Sequence, residues 1–71
     1  MSDNAKTIKR NLFDKLREFH NNKDFVGGVI SNVSHDDDRQ TIIDYINNGE
    51  DVTVESIILL SLHLSNEREK K

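Results

Sequence analysis

Residues 52–64 read Val52-Thr53-Val54-Glu55-Ser56-Ile57-Ile58-Leu59-Leu60-Ser61-Leu62-His63-Leu64, and this stretch decides the fold. Its 13 residues hold 8 of the chain's 24 hydrophobic residues. Ile57 to Leu60 is an unbroken apolar run, without the alternation of a half-wet strand. Thr53 is a good helix cap, and Glu55 falls in a first turn, where the positive end of the helix dipole favours an acid. Val52 and Ile57 stand at the spacing of a hydrophobic staple. The pattern predicts a helix from Val54 to about Arg68, with Lys70 and Lys71 suited to its C-terminal end.

At about 100° per residue, the apolar positions of this helix cover roughly 260° of its circumference. An ordinary surface helix shows a stripe of roughly 100°. Such a segment needs neighbours on most sides. Either three other short helices wrap it as the central element of one chain, or part of the arc faces a second molecule. The second alternative singles out Ile58, Leu59 and Leu62 as interface residues, with a two-fold homodimer as the commonest closed form.

Working upstream, Ser34 can cap a helix whose first turn holds Asp36, Asp37 and Asp38. It would run to Asn48, bury Ile42, Ile43 and Ile46, and stop at Gly49. A rival reading makes Asn48-Gly49 a hairpin turn, with Val52 and Val54 on an alternating strand. In residues 24–33, Phe25, Val29 and Val33 recur at spacing four, as do Val26 and Ile30, so a short helix capped by Asp24 fits. Gly27 and Gly28 disfavour it and the β-branched residues would also suit a strand, but the short helix is the favoured reading. If the segment is helical, the glycines would let another helix approach closely. From Lys6 to about Asn22, Ile8, Leu12, Leu16 and Phe19 fall on one stripe of a helix, with Asp14 and Glu18 opposite. The whole, residues 1–71, reads as one all-α domain of three to four short helices, dimeric, with loose ends at 1–5 and 69–71.

Phe13 lies off that first stripe, among Lys6, Lys9, Arg10 and Arg17. An aromatic so placed can anchor in a partner's pocket, or stack on a base while the cations hold phosphates. The charge is unevenly spread. Residues 1–23 hold six basic and three acidic residues, net +3; residues 24–55 hold one and eight, net −7; residues 56–71 hold three and two, net +1. The first helix and the middle segment should attract each other, within a chain or across a dimer. Local pairs such as Arg10 with Asp14 are also expected. The overall −3 weighs against nucleic acid, whose binding is dominated by phosphate attraction. Residues 36–64 suit a helix-turn-helix in outline, but the second helix has no basic residue before Arg68 with which to read bases.

Other classes fall away on composition. With Gly counted, 38% of the chain is apolar, against roughly 45–50% in an average domain, so a partner subunit would help a chain this small. The absence of Cys excludes disulfides, thiolate metal sites and thiol chemistry. No apolar run reaches the roughly 18 residues of a membrane span, and Met1 to Asn11 lacks the apolar core of a leader, so a cytoplasmic location is expected. Asn32-Val33-Ser34 fits the glycosylation pattern but would then stay unmodified. His35-Asp36-Asp37-Asp38 lacks the spacing of a calcium loop, and no nucleophile signature or phosphate loop occurs. The expectation is a non-enzymatic interaction protein without a cofactor or metal.

Overall fold

The computed structural model describes the backbone of residues 4–69 and the side chains of residues 8–69. The elements are α1 (Asn4–Phe19), α2 (Lys23–Asn32), α3 (Asp36–Asn48) and α4 (Val54–Glu69). Among the described residues there is no strand; residues 24–32 lie within α2, Val33 is its extended C-cap, and the Asn48-Gly49 hairpin does not form. The loose ends expected at the termini lie mostly outside the described residues.

The boundaries are set by local hydrogen bonds. α1 ends at Phe19 rather than Asn22, because Asn22 starts the next helix: its Oδ1 accepts the Phe25 N–H at 3.0 Å. That corrects the expectation that Asp24 caps α2; Asp24 sits within the first turn instead. Phe19, at the end of α1, falls off the stripe and is 37% exposed, while Leu12 and Leu16 are fully buried. α3 starts one residue later than expected. His35 occupies the cap position, extended and without a side-chain cap bond, so Ser34 does not cap.

Thr53 caps α4 as expected. Its Oγ1 accepts the Ser56 N–H at 3.0 Å, and the Thr53 N–H returns a bond to Ser56 Oγ at 2.9 Å. This is a reciprocal box closed by a serine where glutamate or glutamine is usual. The Tyr45 hydroxyl donates to the same Ser56 Oγ at 2.9 Å, tying the end of α3 to the start of α4. Gly49 ends α3 for an unexpected reason. Its φ is −74°, so no left-handed conformation calls for glycine there. A Cβ at Gly49 would lie 2.5 Å from the Tyr45 carbonyl oxygen and 2.9 Å from Val52 Cγ2, so close approach of the chain demands glycine. The positive φ of this turn belongs to Asp51, at 56°, a residue type that tolerates that region.

The helices touch round a ring in the order α1, α2, α4, α3, with the closest packing between α1 and α3 and between α2 and α4. Leu12, Leu16, Phe25, Val26, Val29, Val33, Ile42, Ile43 and Ile57 fill the middle. α4 therefore packs chiefly on two helices, α2 and α3, and has an exposed outer flank rather than a wrapped circumference. Its innermost residue besides Ile57 is polar. Ser61 is fully buried, donates to the Ile58 carbonyl at 2.7 Å and accepts from Asn32 Nδ2 at 3.1 Å. A small side chain here lets α2 and α4 approach, and the hydroxyl is satisfied within the pair.

The expected close approach at Gly27 and Gly28 is not found. Both are exposed, and a Cβ at either would meet nothing within 4 Å.

Candidate interaction surfaces

Two surfaces carry the residues singled out from sequence. The first is the outer flank of α4. With Ile57 and Ser61 turned inward, Glu55, Leu59, Leu62, Asn66 and Glu69 all lie exposed. Their spacing of 4, 3, 4 and 3 residues is that of a single coiled-coil seam. Leu59 is 61% exposed and Leu62 44%. Ile58, expected beside them, is half-buried at the edge of this flank and packs against the core.

The second is a groove between α1 and α2. Phe13 is 42% exposed, and the Arg17 guanidinium carbon lies 5.6 Å from its ring centroid, within cation–π range. Two shallow hollows flank this aromatic. One, of about 440 Å³, is lined by Phe13, Arg17, Lys23, Val26 and Gly27 among others. The other, of about 490 Å³, is lined by Lys9, Arg10, Phe13, Asp14, Arg17 and Ile30. The structure thus joins Phe13 to Lys9, Arg10 and Arg17 in one site, while the Lys6 side chain lies outside the described residues. No α4 residue lines either hollow, so Phe13 belongs to a different surface from Leu59 and Leu62.

Sequence reasoning missed the α2 half of this groove. Val26 and Ile30 enter the sequence reading only as a periodic pair and Lys23 only through the charge of residues 1–23, and no periodicity in one helix announces which neighbour its flank will meet. The Arg10–Asp14 pair does not form, although both side chains line the same hollow.

The acidic run is answered elsewhere than expected. Asp36 Oδ1 accepts from Arg39 Nη1 at 2.8 Å. The nearly buried Asp38 takes a two-point bond from Arg68, Nε to Oδ2 at 2.7 Å and Nη2 to Oδ1 at 3.3 Å. Those contacts pin the last turn of α4 to the first turn of α3. The bond to Asp38 raises the Arg68 pKa above the usual arginine range, helped by the charges of Asp38 and Asp37 and opposed by desolvation. A raised basic pKa contributes stability below its ordinary value and loses it only as pH climbs through the raised one. That window is strongly alkaline, so the shift of Arg68 brings no pH dependence near neutrality. Arg39 and Arg68 engage Asp36 and Asp38 of α3, and the cations of the α1–α2 groove make no ion pair among the described residues.

Among the described residues no helix is long and apolar enough to cross a membrane, and no group of three or more His, Asp or Glu side chains converges as a metal site would need. No protein family, characterised protein or solved structure matches this chain.

Proposed function

We propose that this protein is a non-enzymatic helical interaction module that self-associates, dimerisation being its simplest form. The observation that carries the reading is the outer flank of α4, where Leu59 and Leu62 stand one turn apart in water on a helix whose opposite side is packed. Scattered exposed apolar residues are ordinary on a monomer. Here they form the centre of a regular seam, in a chain with only 34% hydrophobic residues.

The test is the mass in solution. Sedimentation or light scattering at about 10–100 μM should give more than one chain for the wild type, with a melting temperature that rises with concentration, as linkage requires. Leu59→Asp should give a single chain that keeps its helical signal. A wild type that is strictly monomeric, or a Leu59→Asp variant that associates undiminished, refutes the reading.

One observation favours a second reading, a small nucleic-acid-binding regulator: Phe13 is half exposed among Lys9, Arg10 and Arg17 in a single groove. Bases could stack there while the cations hold phosphates. Retention on heparin, lost in Lys9→Glu, would support it; passage without retention removes it.

A further inference from the structure

We propose that the groove between α1 and α2 receives the outer seam of α4 from a second copy of this chain. The inference rests on the self-association proposed above and adds which surface meets which.

The charges decide between modes. The seam has leucines at its centre and a carboxylate at each end, Glu55 and Glu69, and no basic residue among its five positions. Pairing two seams would oppose like charges in either direction. Antiparallel, with Leu62 at the centre, Glu55 of one copy faces Glu69 of the other; parallel, each faces its own twin. Juxtaposed like charges disfavour such a contact. Two grooves brought together would likewise oppose cations.

Seam against groove is complementary instead. The groove has Phe13 at its centre, with Lys9 and Arg10 in one hollow, Lys23 in the other, and Arg17 in both. The carboxylates of the seam are spaced more widely than the cations on α1. Glu55 and Glu69 are 14 residues apart, about 21 Å along a helix, and Lys9 and Arg17 are about 12 Å apart along α1. The long stems of the cations and the added position of Lys23 cover the difference. A helix laid in a groove with anchors at spacings of three and four is a common recognition mode.

Gly27 supports the same contact. It lines the groove, costs α2 helical stability and touches nothing within the chain. A missing Cβ there leaves room for another backbone. The contact joins unlike surfaces, so it closes as a dimer when both copies exchange it and otherwise extends into a chain.

The experiment is a charge exchange. A groove-reversed chain carries Lys9→Glu and Arg17→Glu; a seam-reversed chain carries Glu55→Lys and Glu69→Lys. All four positions are exposed, so both chains should keep the wild-type helical signal. Each alone should associate at least about tenfold more weakly than wild type. Mixed in equal amounts, or combined in one chain, they should recover association. Lys15→Glu, on α1 but lining neither hollow, should associate as wild type.

Undiminished association of the groove-reversed chain would overturn the proposal while leaving self-association standing, and would mean a seam-to-seam contact. If that chain also lost heparin retention, the groove would be a polyanion site. Failure of the mixture and of the combined chain to recover would overturn it too. A monomeric wild type would remove the self-association reading itself.

Discussion

Alanine at the three glycines should act with opposite signs, and the sign is set by what each new methyl meets. Gly27 and Gly28 lie inside α2, neither has a positive φ, and a Cβ at either meets nothing within 4 Å. Alanine there restores helix propensity, about 0.8–1 kcal/mol by peptide scales, part of it through fewer states in the unfolded chain. For a domain of this size, 1 kcal/mol moves the melting temperature by about 4–8 °C. Gly28→Ala should therefore raise it by roughly 3–8 °C. At Gly49 the methyl would sit 2.5 Å from the Tyr45 carbonyl, which accepts the Gly49 N–H at 2.7 Å, and 2.9 Å from Val52. The end of α3 must shift and that capping bond weakens, at a cost of about 1–3 kcal/mol. Far-ultraviolet circular dichroism melts at one fixed protein concentration read both effects, since concentration itself shifts the melt of an associating chain. A Gly28→Ala protein that melts at or below wild type, or a Gly49→Ala protein that melts at or above it, refutes the reasoning. Gly27→Ala is a sharper probe of the groove: it should stabilise the fold as Gly28→Ala does, yet weaken association.

Two further substitutions test the packing. Ile42, fully buried in α3, should lose about 2–5 kcal/mol on Ile42→Ala, against a total of roughly 4–11 kcal/mol for a chain of 71 residues; a chemical denaturation midpoint within error of wild type would show that the core is not built round it. Ser61→Val should be the worse of two changes at one site: it adds bulk where α2 and α4 meet and costs about 1–3 kcal/mol, whereas Ser61→Ala only removes a hydroxyl bonded to Asn32 and Ile58 and costs about 1 kcal/mol, and the reverse order in denaturation would contradict the close approach.

What was legible in the sequence was whatever a single helix decides for itself. The stripe of Leu12 and Leu16, the four-residue recurrence of Phe25 and Val29, the pair Ile42-Ile43 and the Thr53 cap each depend on residues within a few positions of one another. Competing caps were harder. Asn22 and Asp24 are both good N-cap residues two positions apart, and Ser34 is a good one directly before His35, which takes the cap position without a side-chain bond. Which one wins depends on where α1 must turn back to bring Leu16 and Phe25 into one core, and that is a tertiary condition. Gly49 was rightly read as a stop, but through the wrong physics: the constraint is the Tyr45 carbonyl and Val52, neither of which helix periodicity can place against it.

The apolar arc of α4 raises the same issue at larger scale. Counting hydrophobic residues round the helix shows that it has more greasy circumference than an ordinary surface helix, but not how many neighbours it will have. The ring arrangement supplies two main ones, α2 and α3, and the most buried line of α4 is shared by Ile57 and the polar Ser61. Leu60 and Leu64 pack against the core, and Leu59 and Leu62 lie on the side away from it. Leu59, mostly exposed in the folded chain, contributes little to folding, because burial stabilises only in proportion to the apolar area removed from water. The same holds in part for Leu62 and Phe13. In a chain so poor in apolar residues, the free energy of burying these three remains available to association, and in the contact proposed above the carboxylates at the ends of one surface and the cations round the other would determine which surface each one meets.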